Sequence, residues 1–183
     1  MRLRLRLLLL LITSLFHKPV KELDQSVISL RVLPNDIDIF KITTDRYVAL
    51  MELGRMDFAF RIGLLRTMIR KNWVPLTTLC TIRFRHPLKV FQKYQLRTRV
   101  AFWDEHTFYF QHDFELRGRV VATGYVCSTL LSPAGPVRPE DVLGETGVSM
   151  MSPEKPEIVA RLMGLDAIIH QGQHEKDPIQ SPT

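Results

Sequence analysis

The chain has 183 residues, of which 45% are apolar and 24% are charged, and this composition excludes a collagen-like or a wholly disordered protein. Its length predicts one domain with a single hydrophobic core. The formal net charge of +6 favours an anionic partner. Because no zinc-finger spacing or RNA-recognition consensus accompanies the basic residues, we do not expect a nucleic acid to be that partner.

Residues 1–25 form a basic, leucine-rich segment that starts Met1-Arg2-Leu3-Arg4-Leu5-Arg6. The apolar run that follows is too short to span a bilayer, and no small-residue cleavage site precedes Lys18-Pro19. Three interpretations stay open: a helix that covers the domain or lies in a membrane interface, a membrane anchor, and a cleaved signal. The expected location is cytoplasmic, with peripheral contact to a membrane through this segment as a further expectation.

A strand and a long helix follow this segment. Residues 26–33 alternate as a strand does, and Pro34-Asn35-Asp36 ends it with turn-forming residues. The helix begins near Thr43-Thr44-Asp45, where either threonine can supply the capping oxygen. Its buried face is predicted from helical spacing, and Gly63 should end it, before residues 64–71 resume helical character. The residues of that face are Tyr47, Leu50, Met51, Gly54 and Phe58.

The period then changes to two, which predicts consecutive strands rich in β-branched and aromatic residues. These strands are Thr78–Arg85, Tyr94–Trp103, Thr107–Leu116 and Val120–Leu131. Two of their connections are short enough for hairpins, so the sheet should be largely antiparallel. One helix covering one face of that sheet makes an α+β architecture of two layers.

The rest of the chain should be helical and then flexible. Residues 139–144 are expected to form a helical turn and residues 156–169 a helix, whereas the polar residues after 170 should fray. The predicted units are therefore the segment 1–25, a domain at 26–135, a helical extension at 136–170 and a flexible tail at 171–183. Cys80 and Cys127 lie in strand-like runs far apart and are interpreted as apolar fillers. We expect neither a metal site nor a cofactor.

The turn before the long helix carries the candidate chemistry. Asp36 and Asp38 lie just ahead of a helix N-terminus, where unpaired backbone N–H groups and the helix dipole favour developing negative charge. Such a site can hydrolyse a carbonyl compound without a metal. The simpler alternative is that both are solvated turn carboxylates. A serine hydrolase is not favoured, because the chain has no Gly-x-Ser-x-Gly elbow.

Five segments, in this order, resemble the hot-dog fold acyl-CoA thioesterases, in the hydroxybenzoyl-CoA thioesterase-like branch and its small superfamily members with a leucine-rich N-terminus. These segments are Leu33–Asp38, Arg46–Arg55, Ile82–Leu88, Gln92–Arg99 and Phe102–Tyr109. The resemblance implies a hot-dog fold, in which an antiparallel sheet wraps one long central helix. It also implies a homodimer or homotetramer, joined by sheet edges, that binds acyl-CoA at the interface.

The same resemblance assigns roles to residues. It places Asp38 as the group that attacks the thioester carbonyl or activates a water, and the backbone N–H of Arg46 or Tyr47 as the donor to the carbonyl oxygen. Asp36 would orient the turn. Glu52 is a further candidate base, although its position off the buried stripe favours solvent exposure or partner contact. The candidate catalytic residues are thus Asp38, Tyr47 and Glu52.

Substrate contacts are expected around the same loop and on the strand after the helix. Phe40 would contact the acyl chain, and Arg83 with Arg85 would hold coenzyme A phosphates if they share one strand face, the alternative being a solvated sheet edge. The candidate substrate-binding residues are Phe40, Thr43, Thr44, Arg46, Arg83 and Arg85. Residues 39–45 lack the histidine and paired asparagines that the resembled family carries. A non-catalytic, membrane-associated acyl-CoA or lipid binding protein is therefore the alternative function.

Overall fold

The structure is a computed structural model, and it describes residues 25–147 and 151–176. The expectations for residues 1–24 and 177–183 concern parts of the chain outside these ranges. The strands are β1 (Ser26–Arg31), β2 (Ile37–Asp38), β3 (Lys41–Ile42), β4 (Val74–Phe84), β5 (Lys93–Trp103), β6 (Phe108–Leu116), β7 (Arg119–Ser132) and β8 (Gly135–Val137). The α-helices are α1 (Thr44–Arg61), α2 (Leu64–Lys71), α3 (Pro139–Gly144) and α4 (Glu157–Lys176).

The main sheet has the strand order β1-β5-β6-β7-β4, with β8 added to the end of β7. All of its pairings are antiparallel, and short turns join β5 to β6 and β6 to β7. The expected hairpins are therefore confirmed. Strand β4 starts earlier than predicted and includes Pro75. Because β4 is an edge strand, a proline that cannot donate to a ladder is tolerated there.

Helix α1 packs its apolar stripe into the concave side of this sheet. Tyr47, Leu50, Met51 and Phe58 are each at most 3% exposed, as their spacing predicted. Gly54 brings the helix backbone so close to β5 that an added Cβ would collide with the Thr98 hydroxyl. The predicted antiparallel sheet around one long helix is confirmed.

The C-terminal half of α1 is fixed to the edge strand β1 by a buried ion pair. Arg61 Nε lies 2.7 Å from Asp57 Oδ2, and the Ser26 hydroxyl donates to the same carboxylate oxygen. Arg61 also donates to the carbonyl oxygen of Val27, at 3.2 Å. The helix ends at Arg61, and Gly63 takes a φ of 77° that suits glycine, so this predicted helix end is confirmed.

Helix α4 covers part of the outer face of the sheet. Val159 and Leu162 are buried there, and Val159 packs against Ala101, Tyr109 and Cys127. Both cysteines are free, as expected of apolar fillers, and Cys127 is buried. The helix continues to Lys176, past residue 170, after which fraying was predicted.

Candidate functional site

The two aspartates between β1 and α1 differ in burial and in hydrogen bonding. Asp36 is 3% exposed, and its carboxylate accepts a hydrogen bond from the Leu33 N–H at 2.8 Å. Its carbonyl oxygen accepts one from the Thr43 N–H at 3.1 Å. Asp36 therefore closes the turn and sets the direction from which the chain enters α1.

Asp38, by contrast, is exposed on the two-residue strand β2, opposite Lys41 of β3. Within the described residues its carboxylate takes part in no hydrogen bond or ion pair, while its main-chain carbonyl accepts the Phe40 N–H at 2.6 Å. The backbone is thus held and the carboxylate is left accessible. An accessible carboxylate can act as a nucleophile or a general base when the reacting group lies within hydrogen-bond reach.

Helix α1 begins with Thr43 as the N-cap residue, but the Thr43 side chain does not cap the helix N–H groups. The N–H groups of Arg46 and Tyr47 both donate to the Thr43 carbonyl, at 3.2 and 3.4 Å. Asp45 has a lowered pKa, because its carboxylate accepts a hydrogen bond from the Thr43 side chain and contacts Arg46 and nearby backbone N–H groups. Among the described residues, the N–H groups of Thr44 and Asp45 donate to no backbone carbonyl oxygen at this helix end, and the Asp45 N–H interacts with its own carboxylate.

A surface pocket of about 240 Å³, the N-terminal pocket, opens beside this helix end. Lys41, Thr44 and Arg85 line it with polar groups, and the Tyr47 and Phe84 rings meet edge to face at 4.9 Å in its apolar wall. A concave site with two cations beside a helix N-terminus suits an anionic ligand.

Tyr47 contributes to this wall as a core residue. It is 2% exposed, and its hydroxyl oxygen accepts the Leu88 N–H at 3.4 Å. Burial raises the pKa of the phenol, although the hydrogen bond from Leu88 opposes that change. The side chain is neutral and positioned by packing.

A second cavity of about 80 Å³, the α3 cavity, lies farther along α1, between the helix, the sheet and α3, and is partly open to the surface. Its walls are mostly apolar, and Val142 and Leu143 of α3 line it. Glu52 and Arg55 supply the charged groups, and Arg55 donates to the Thr77 hydroxyl oxygen of β4 at 3.2 Å. Helix α3 was predicted from the sequence, but its contact with this cavity was not. Sequence periodicity indicates local secondary structure and does not indicate which distant elements pack together.

The predicted site residues fall into three groups: those that line the N-terminal pocket, one that lines the α3 cavity, and those that line neither. Thr44, Arg85 and Tyr47 lie together in the N-terminal pocket, with Lys41 as a lining residue that sequence reasoning missed. Glu52 is exposed at the mouth of the α3 cavity.

The remaining residues line neither cavity. Phe40 is 80% exposed and Arg83 is exposed. Asp38 lies on β2, Thr43 is the N-cap residue of α1, and Arg46 is in the first turn of the helix. Because β4 ends at Phe84, the alternation that would align Arg83 with Arg85 stops one residue too early.

Two further arginines lie on β5 and are already partnered. Arg97 pairs with Glu115 at 2.6 Å, and Arg99 donates to Gln111 at 2.8 Å. Among the described residues, no group of three His, Cys, Asp or Glu side chains could hold a metal ion. The helices of the described ranges include none with the length and apolar character needed to cross a membrane.

Residues 32–132 match the family model described as the thioesterase-like superfamily, which is more than half of the chain. The chain belongs to the thioesterase-like superfamily. The matched region runs from the end of β1 to the end of β7, so it contains the loop of Asp38, all of α1 and the strands that surround it.

Two curated relatives match parts of this chain. Protein THEM6 of Xenopus laevis is 32% identical over 84 residues, which cover 45% of this chain and 41% of that protein. Protein THEM6 of Danio rerio is 27% identical over 132 residues, 70% of this chain and 63% of that protein. The chain thus matches less than two thirds of the length of these relatives.

The solved DHNA-CoA thioesterase from Staphylococcus aureus superposes with a TM-score of 0.61 at 13% identity. The match covers 81% of this chain and 95% of that one. At this identity the likeness shows the fold alone, and the hot-dog fold expected from the sequence is confirmed.

Proposed function

We propose that this protein hydrolyses an acyl-CoA thioester to coenzyme A and a free carboxylic acid. The observation that carries the proposal is the accessible carboxylate of Asp38 on β2, opposite Lys41 of β3, which lines the pocket at the start of α1 together with a second cation, Arg85. Membership of the thioesterase-like superfamily supports thioester chemistry. The acyl-CoA specificity is inferred from the basic pocket, because coenzyme A carries phosphates that Lys41 and Arg85 can bind.

In the proposed reaction, Asp38 acts on the thioester carbonyl directly or takes a proton from the attacking water. The N–H of Thr44 stabilises the negative charge that develops on the carbonyl oxygen, since a helix N-terminus favours such charge. The carbon–sulfur bond then breaks, and the thiolate of coenzyme A leaves and takes up a proton. If Asp38 attacks first, water hydrolyses the resulting anhydride.

Assembly into a homodimer or homotetramer through sheet edges is part of the proposal. No strand of the described residues pairs with the outer edge of β4, which is eleven residues long and carries the exposed apolar side chains Val74, Leu76 and Phe84. An uncovered edge strand of this length is an aggregation hazard unless another strand pairs with it. Pairing of two β4 strands would also place Phe84 and Arg85 of one copy near the second copy.

Thiol release from short, medium, long and aromatic acyl-CoAs tests the chemistry. Asp38→Asn should lower kcat/KM by about 10²- to 10⁴-fold, because the amide neither attacks nor accepts a proton. Asp45→Asn is the matched control, since it makes the same change in an exposed carboxylate at the same helix end. Equal rates for Asp38→Asn and the parent would exclude the assigned role.

The second candidate is a non-catalytic acyl-CoA or lipid binding protein. It is favoured by the position of Asp38, which lines neither of the two cavities, and by the loop 39–45 without histidine or asparagine. Equilibrium binding of acyl-CoA without thiol release would support it. Turnover of any acyl-CoA that depends on Asp38 would exclude it.

A further inference from the structure

One end of the molecule displays large apolar side chains on two adjacent turns. Ile39 and Phe40 form the tip of the β2–β3 hairpin and are 76% and 80% exposed, and Phe91, in the turn before β5, is 58% exposed. We call these residues, with the exposed cations Arg31, Lys41, Lys89 and Lys93 around them, the tip surface. Clustered exposure of this kind marks an interaction site.

The two turns are anchored to the core of the domain. Lys41 and Lys89 pair in an isolated bridge, and the Ile42 N–H donates to the Leu88 carbonyl at 3.0 Å. The Phe91 N–H donates to the carbonyl oxygen of Val32, at 2.8 Å. Since Val32 and Leu88 are fully buried, the exposed side chains project from a fixed base.

The backbone of the tip surface is strained at two of its apolar residues. Ile39 has a φ of 55° and Phe91 a φ of 62°, a region that bulky side chains avoid. The other described non-glycine residues with positive φ are Asn72, a type that tolerates it, and Arg117, in the β6–β7 turn. Glycine or asparagine would relieve the strain at Ile39 and Phe91. Because bulky apolar residues occupy these strained positions instead, we infer that their side chains have a function at this surface.

The cations of the tip surface face one another across strands. Arg31 lies directly opposite Lys93 in the β1–β5 ladder, and Lys41 lies opposite Lys89. The Arg31 guanidinium donates to the Phe91 carbonyl oxygen at 3.1 Å, whereas the like charges of Lys41 and Lys89 lie opposite each other, which is unfavourable in a sheet. Asp38 is the exposed acid of this region, and it leaves the tip surface with a net positive charge.

We propose that the tip surface docks onto an anionic lipid bilayer. Ile39, Phe40 and Phe91 enter the boundary between headgroups and acyl chains, and the surrounding cations bind the headgroup phosphates and carboxylates. A two-fold contact with a second copy fits less well, because it would bring the same cations together. A nucleic acid would use the cations but not the three protruding apolar side chains.

Co-sedimentation of the full chain with vesicles tests this proposal, with phosphatidylcholine vesicles compared to vesicles that also contain phosphatidylserine. Binding should require phosphatidylserine and weaken as salt is raised. Lys89→Gln with Lys93→Gln should lower the partition coefficient about 30-fold, since each cation near the surface contributes about fivefold. Phe91→Asn should lower it about tenfold while the melting temperature stays equal or rises.

The matched control is Arg66→Gln with Ile69→Asn. It removes an exposed cation and an apolar side chain that is 71% exposed from α2, and it should leave vesicle binding unchanged. All variants retain residues 1–24, so a difference between them reports on the tip surface. Parent-like binding by both tip variants would overturn the proposal, as would equal loss in the control.

Two other results would also overturn it. If Phe91→Asn has a lower molar mass than the parent protein in analytical ultracentrifugation without vesicles, the tip surface is a contact with a second copy of the chain. Loss of duplex DNA or RNA binding in the lysine variant, with vesicle binding retained, would assign it to a nucleic acid.

Discussion

The carboxylates near the two ends of α1 have opposite environments. Near the C-terminal end, Asp57 is buried, paired with Arg61 and bonded to Ser26, and it joins the helix to β1. Near the N-terminal end, Asp38 is exposed, unpaired within the described residues, and next to a strained turn. One end of the helix is thus fixed by a buried ion pair, whereas the carboxylate near the other end is available to a ligand.

The largest expected effect is at the buried end. Asp57→Ala should lower the free energy of unfolding by about 3–5 kcal/mol, because it leaves the Arg61 guanidinium buried without its partner. Asp38→Ala, at the exposed end, should change it by less than about 0.5 kcal/mol. Urea denaturation of both variants measures this difference. Similar losses would show that the two carboxylates do not differ in structural role.

The contact between α1 and the sheet gives the next effect. Gly54→Ala should cost about 1–3 kcal/mol, because the added methyl group collides with Thr98 and crowds Leu96. Gly164→Ala is the control within α4, where nothing lies within 4 Å of the added group, and it should stabilise by about 0.5–1 kcal/mol. A stabilising Gly54→Ala would mean that α1 does not lie this close to β5.

His112, beneath α1, should make stability depend on pH. It is fully buried, and Thr98 Oγ1 lies 3.0 Å from its Nδ1. Burial, with a smaller contribution from Arg55, holds the pKa of His112 well below the ordinary 6.5. The unfolded chain therefore takes up a proton as pH falls through 6.5 and the native protein does not. Stability should fall below pH 6.5, by up to about 1.4 kcal/mol per pH unit.

Denaturation at several pH values from about 7.5 to about 5, a range that brackets the ordinary histidine pKa of 6.5, measures this slope. His112→Gln should flatten it, whereas His106→Gln, at an exposed position, should not. An unchanged slope in His112→Gln would contradict the assignment of the pH dependence to this residue.

The smallest expected effect concerns the Tyr47 hydroxyl. Tyr47→Phe should cost about 1 kcal/mol, because the Leu88 N–H loses a long hydrogen bond while the ring packing stays. Thermal melting measures the cost. If the variant loses more than about tenfold in thiol release, the hydroxyl has a role in the reaction beyond packing.

Much of the fold followed from spacing in the sequence. The stripe from Tyr47 to Phe58 and the alternation from residue 94 to residue 131 record burial directly, because side chains repeat every 3.6 residues in a helix and every two in a strand. The start of β4 was missed because Pro75 indicates a turn unless the strand is known to be an edge.

The candidate site was less accessible to sequence reasoning. The donors at Arg46 and Tyr47 are used within the first turn of α1, and whether a given N–H is free depends on local geometry that no pattern records. Lys41 lines the N-terminal pocket and Val142 lines the α3 cavity because elements distant in the sequence meet there. Asp38 remains the prediction that thiol release must test.

Helix α4 has a consequence for how many copies can assemble. It occupies the apolar part of the outer sheet face, and the remainder of that face carries paired polar groups such as Arg97 with Glu115. The inner face is filled by α1, so stacking of sheets would have to displace a helix. In the proposed assembly, pairing of β4 with the β4 of a second copy would use this edge in both chains and leave the β1 edge at the opposite side of each sheet.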